Sequence, residues 1–172
     1  MSSETQLTDE GLFYAELEKV AHEIAAQAGL FIVEALGKDV SVEYKDAQNS
    51  TGESAPVDPV TDIDRQVEEF VRAEVGKRFP SHAVLGEEQD TPPDPAAEFV
   101  WAIDPVDGTT NFVNKFPAFA ASIGILQNGE PVVGAVWSST THKLKPGVYH
   151  AFSGSSLRLD GEELIGMKKN SG

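Results

Sequence analysis

Phe99-Val-Trp-Ala-Ile-Asp-Pro-Val-Asp-Gly-Thr-Thr-Asn-Phe112 is the stretch on which the fold turns. Its apolar run, Phe99 to Ile103, reads as a buried strand that delivers two carboxylates, Asp104 and Asp107, at its end. Pro105 has no N–H for a ladder and Asp107-Gly108 is turn chemistry, so the strand is expected to stop there. Thr109, Thr110 and Asn111 then offer hydroxyls, an amide and backbone N–H groups, like the start of a helix. Two hard oxygen anions beside a group of N–H donors is the set that a Mg²⁺-bound phosphate requires.

The same stretch divides the chain by periodicity. Upstream, Thr8 or Asp9 can cap a helix in which Leu12, Val20, Ile24, Ala28, Phe31, Ile32 and Ala35 recur at helical spacing, with Gly37 as its stop. A short strand is expected at 40–44, followed by a polar loop over 46–55. Thr61 or Asp62 opens a second helix, with Ile63, Val67, Phe70, Val71, Val75 and Phe79 as its buried stripe and Pro80 after it. Ala83-Val84-Leu85 reads as a strand ending at Gly86-Glu87-Glu88. Downstream, runs 119–127 and 131–138 flank Asn128-Gly129, the strongest short hairpin signal, and 147–153 and 156–159 read as further strands around an Asp160-Gly161 turn. Two helices followed by a mainly antiparallel sheet indicate an α+β layer. The organisation read from this pattern is a polar leader over 1–8, one domain over 9–165 and a polar tail over 166–172.

At 172 residues the chain can bury a real core. A net charge of −15 argues against nonspecific binding to nucleic acid or an anionic membrane. An acidic protein that handles phosphate needs a cation to mask its own field, which favours a metal over an arginine clamp. The absence of cysteine excludes disulfides, a thiolate nucleophile and a cysteine-based zinc site. The N-terminus has neither a basic nor an apolar signal region, and no apolar run approaches a membrane span, so a cytoplasmic address is expected.

Three acidic clusters sit where regular elements end: Asp58-Pro-Val-Thr-Asp-Ile-Asp64, Gly86-Glu87-Glu88 and the opening stretch. Taken singly, the first is explained by helix capping and the second by an acidic surface turn. His22, His82, His142 and His150 have no ligand spacing and read as solvated or structural. Ser138-Ser-Thr-Thr-His142 lacks a nucleophile elbow and reads as a polar turn.

Together the three clusters, with Phe116-Pro-Ala-Phe119 and Ser122-Ile-Gly124, resemble the inositol monophosphatase family, the lithium-sensitive Mg²⁺-dependent phosphomonoesterases, over about residues 10–160. The resemblance implies that this chain is half of a layered αβαβα fold. It implies that Glu87, Asp104, Asp107 and the Val106 carbonyl hold magnesium. Thr109 and Asp64 would activate the attacking water, with Glu87 also at the catalytic centre and Glu88 in support. Gly108 and Thr109 would cradle the phosphate, with Glu87, Val106 and Asp107 alongside. Lys45 resembles the family's loop lysine, set apart from Asp58 here by a longer loop over 46–56.

The implied reaction is hydrolysis of inositol monophosphate, a small phosphorylated polyol, by a soluble enzyme that is commonly a dimer. Histidinol phosphate or another sugar phosphate is the same-class alternative. A truncated form that binds metal or a partner chain without catalysis is the other. Family members are longer, and their second half carries a Trp-Asp-x-Ala-Ala-Gly motif. Here Trp101 is followed by Ala and Trp137 by Ser. The expectation is an N-terminal portion that is poorly active by itself.

Overall fold

The computed structural model describes residues 8–36, 42–44, 59–88, 92–94 and 96–164. The expected leader apart from Thr8, the tail, Lys45, the loop over 46–55, Asp58 and the Gly37 stop lie outside the described residues. Helix α1 spans Asp9–Ala35 and is capped by Thr8, whose Oγ1 accepts the Gly11 N–H at 3.1 Å. Its buried stripe runs through Tyr14, Leu17, Ala21, Ile24, Ala28 and Ile32. Leu12, expected in that stripe, is 57% exposed because Leu17 carries the helical phase onto the sheet.

Two short strands, β1 (Val42–Tyr44) and β2 (Pro59–Thr61), pair antiparallel and lead into helix α2 (Asp62–Arg78). Thr61 and Asp64 form a capping box at its start. The main sheet has seven strands in chain order: β3 (Ala83–Leu85), β4 (Phe99–Asp107), β5 (Ala120–Gln127), β6 (Glu130–Ser138), β7 (Gly147–Phe152), β8 (Arg158–Leu159) and β9 (Glu162–Glu163). Among the described strands of this sheet only the β3–β4 pairing is parallel, which a connection as long as 86–98 allows; the rest are antiparallel. Asn128 and Gly129, at φ 50° and 86°, make the tight β5–β6 turn whose twist suits a hairpin.

Alternate residues of the sheet, among them Trp101, Ile103, Ile125, Ala135, Trp137 and Val148, are buried with the apolar faces of α1 and α2 in one core. On the other face, Ala102, Gly124, Gly134 and Ala151 stand in register across four strands as a row of small residues.

Strand β4 corrects one expectation. It does not stop at Pro105 but continues to Asp107, which pairs with Ala120 after a register shift beyond the Asp104–Ser122 pair. A bulge there accommodates the missing proline N–H before the ladder resumes at Asp107. A five-residue helix, α3 (Thr109–Val113), follows.

Candidate active site

Three segments distant in sequence meet at one end of the sheet. Because β3 and β4 are parallel, their C-terminal ends open on the same edge. Leu85 is level with Ala102, which puts the Gly86-Glu87-Glu88 turn beside Asp104. Strand C-termini are where open sheets with parallel strands hold ligands. Gly108 then caps α3 at φ 84° and ψ 38°, a left-handed conformation that glycine adopts without steric cost. A side chain there would also meet the Ala118 carbonyl oxygen at 2.9 Å.

Glu87, Glu88, Asp104, Val106, Asp107, Gly108, Thr109 and Thr110 line one cavity of about 210 Å³. Among the described residues no lysine, arginine or histidine lines it. A wider hollow of about 480 Å³ shares Glu87 and Asp104 and continues over Leu85, Ala102, Ser122 and Gly124.

Asp64 reaches this place from the first turn of α2. It is 3% exposed, and one carboxylate oxygen accepts the Thr61 N–H at 2.8 Å and the Thr61 hydroxyl. The other lies 3.4 Å from Thr109 Oγ1, which donates to the Val106 carbonyl at 2.8 Å. Burial raises the Asp64 pKa, and the bonds from Thr61 and Thr109 oppose the rise. Asp64 is therefore a capping residue of α2, and the same side chain also meets the threonine that follows the Asp107-Gly108 turn.

Asp104 is placed differently. Its Oδ1 is buried with no hydrogen-bond partner. Burial first, then the nearby charges of Glu87, Asp107 and Asp64, push its pKa up to about 6. A carboxylate held in this way lacks a positive charge. The donor set fits a hard divalent cation, since carboxylates and a carbonyl are the ligands magnesium takes and soft ligands are missing. The Val106 carbonyl retains a second lone pair beyond the one that accepts Thr109. Among the described residues no three acidic or histidine side chains stand close enough together to hold a metal ion by themselves.

Sequence patterning overlooked Glu68 and Arg72. Glu68 is fully buried on α2, and its carboxylate accepts the Glu88 N–H at 2.7 Å. The available signal was spacing: Asp64, Glu68 and Arg72 stand four residues apart, a polar line beside the apolar stripe of α2. The histidines lie elsewhere. His82 accepts the Trp101 indole N–H at 3.0 Å, and His150 is tied to Glu18 at 2.9 Å.

The chain belongs to the inositol monophosphatase family, whose profile, described as Inositol monophosphatase family, matches residues 14–171. It is 34% identical over 157 residues to the inositol-1-monophosphatase of Bacillus subtilis, covering 91% of this chain and 55% of that one. The extragenic suppressor protein suhB from Bartonella henselae superimposes with a TM-score of 0.72 at 26% identity, covering 86% of this chain and 53% of that structure. An IMPase/NADP phosphatase solved with Mg²⁺ and phosphate shares the fold at a TM-score of 0.68 and 19% identity, over 88% of this chain and 53% of that one. The chain spans about half the length of the curated relatives it matches. No helix among the described residues is long and apolar enough to cross a membrane.

Proposed function

We propose that residues 9–165 form the metal- and phosphate-binding half of a Mg²⁺-dependent, lithium-sensitive phosphomonoesterase, acting on inositol monophosphate to give inositol and phosphate. The observation that carries this reading is Asp104, whose Oδ1 is buried and unpartnered, with Asp64 nearby and Glu87 and Asp107 beside it in a cavity that no described lysine, arginine or histidine lines. Glu87, Asp104, Asp107 and the Val106 carbonyl are the ligands assigned to magnesium. The bound ion would neutralise the phosphate, polarise it and lower the pKa of a water beside it.

The remaining work falls to the chain's own groups. The turn at Gly108 and Thr109 presents backbone N–H groups to the phosphate oxygens, as the first residues of a helix do. Thr109 relays a proton. Its hydroxyl hydrogen turns from the Val106 carbonyl to Asp64 Oδ1, leaving Oγ1 to accept a hydrogen bond from the attacking water and the carbonyl open for the cation. A raised Asp64 pKa makes that carboxylate the better proton acceptor. Glu88, lining the same cavity, supports the water shell.

Support for the substrate comes from the relatives, which are named for inositol monophosphate. The polyol itself is assigned no contact, and the chain alone is proposed to turn over slowly. Calorimetric titration with Mg²⁺, together with phosphate release from inositol 1-phosphate and histidinol phosphate, tests the proposal. Binding of Mg²⁺ with a preference for the inositol ester upholds it. No heat of binding would sink the metal site, and a preference for histidinol phosphate would replace the substrate.

A further inference from the structure

Glu68 has no exposed surface, although it is a glutamate in an acidic chain. Oε1 accepts Arg72 Nε at 2.9 Å and lies 2.7 Å from Nη2, one helical turn along α2. Oε2 accepts the Glu88 N–H at 2.7 Å. Arg72 in turn donates from Nη1 to the Val84 carbonyl at 3.1 Å. Between those two anchors lies Gly86, where a side-chain carbon would stand 2.2 Å from the Glu68 carboxyl carbon. The turn after β3 is therefore held at Val84, fitted against Glu68 at Gly86 and held again at Glu88. Glu87 is the residue between the last two.

The arrangement is costly unless the exact course of this turn matters. A buried ion pair contributes little net stability compared with apolar packing of the same volume. It does fix geometry, because a carboxylate with both oxygens engaged has one orientation. Arg72 also cancels the charge of Glu68, so a fifth carboxylate near Asp64, Glu87, Asp104 and Asp107 adds no net repulsion to the cavity.

We propose that the Glu68–Arg72 pair is a positioning device for Glu87: it fixes the backbone on both sides of Glu87 and so aims that carboxylate at Asp104 across the cavity. The inference rests on the reading of Glu87 as a metal ligand. Partners behind a ligand that fix its orientation typically change metal affinity about ten- to hundredfold when lost.

The test uses the full chain and Mg²⁺ alone. Glu68→Ala is expected to weaken Mg²⁺ binding by about tenfold or more in calorimetry, scored on folded protein, and to speed hydrogen exchange of the Glu88 amide. Glu68→Gln keeps an oxygen for that amide but turns its NH2 to Arg72, and is expected to restore part of the affinity lost in Glu68→Ala. Val75→Ala, buried on the same helix and away from the turn, serves as the stability control. A merely structural role predicts that Val75→Ala and Glu68→Ala weaken binding alike at equal loss of Tm, and that result overturns the proposal. Unchanged affinity in Glu68→Ala does the same. If Glu68→Ala does not fold, Arg72→Gln, which cuts the tie to Val84, must weaken Mg²⁺ binding or the proposal fails. A native chain that binds no Mg²⁺ sinks the metal reading itself, an outcome distinct from native binding that the variants leave intact.

Discussion

Glu18 and Glu68, buried on the helices, and Asp104 in β4 are treated in opposite ways. Glu18 accepts Arg158 Nη1 at 2.8 Å and His150 Nδ1 at 2.9 Å, and Glu68 is held by Arg72 and the Glu88 amide. His150 Nε2 receives the Gly161 N–H at 3.0 Å, so its proton sits on Nδ1 and points at Glu18. Asp104 has no such company: Oδ1 is orphaned and its neighbours are acids. Where the chain needs a carboxylate for structure it supplies the counter-charge itself. At Asp104 it supplies none, and the neighbouring charges are all acidic.

The largest expected effect breaks the structural side of this contrast. Glu18→Ala strands Arg158 and His150 under the terminal strands and should cost about 3 kcal/mol, measured by urea unfolding. A loss near zero would mean that the pair is as weak as a surface one. Next, Asp104→Asn should lower Mg²⁺ affinity by roughly a hundredfold in calorimetry. The same variant, free of metal, should be more stable than the native chain by roughly 1–2 kcal/mol at pH 8, because a charge without a partner has been removed. Destabilisation together with intact binding would erase the distinction between the two kinds of carboxylate.

The pH dependence sharpens the comparison further. With its pKa raised from 3.8 to about 6, Asp104 contributes stability that is fully present below 3.8 and lost as pH rises through about 6. The metal-free chain should therefore lose this contribution between pH 4 and 7, and Mg²⁺ affinity should rise over the same interval as the competing proton leaves. Unfolding curves of the native chain against Asp104→Asn isolate the effect from the histidines. The smallest stability change is expected for Thr109→Ala, which removes one hydrogen bond, about 1 kcal/mol by thermal unfolding. Phosphate release should nonetheless fall far more than Mg²⁺ binding if Thr109 relays a proton as proposed, since the variant keeps the proposed ligands.

Much of the fold was legible in the periodicity. Helical spacing of apolar residues marked α1 and α2, and Asn128-Gly129 marked the β5–β6 hairpin, because local sterics and burial decide those features. The continuation of β4 past Pro105 was not legible, since a bulge depends on what Ala120 and Ser122 offer from the neighbouring strand. Leu12 misled because it lies off the buried phase of α1, where Phe13 and Tyr14 beside it turn to Phe99 and Gln127 of the sheet instead. Glu68 escaped notice because a buried glutamate looks, in one dimension, like any residue on a charged helix.

The sequence by itself determined the elements, the acidic character of the three clusters and the turn chemistry at Asp107-Gly108, all properties of residues a few positions apart. Tertiary structure alone decided that the second and third clusters line one cavity and that Asp64 of the first approaches Thr109 at its wall. Parallel pairing of β3 with β4 sets Glu87 beside Asp104, and the packing of α2 brings Asp64 to Thr109 across 45 residues of chain. It also decided which acids are neutralised within the fold. Charge and hydrogen bonding act through distance in space, and only the folded chain fixes those distances.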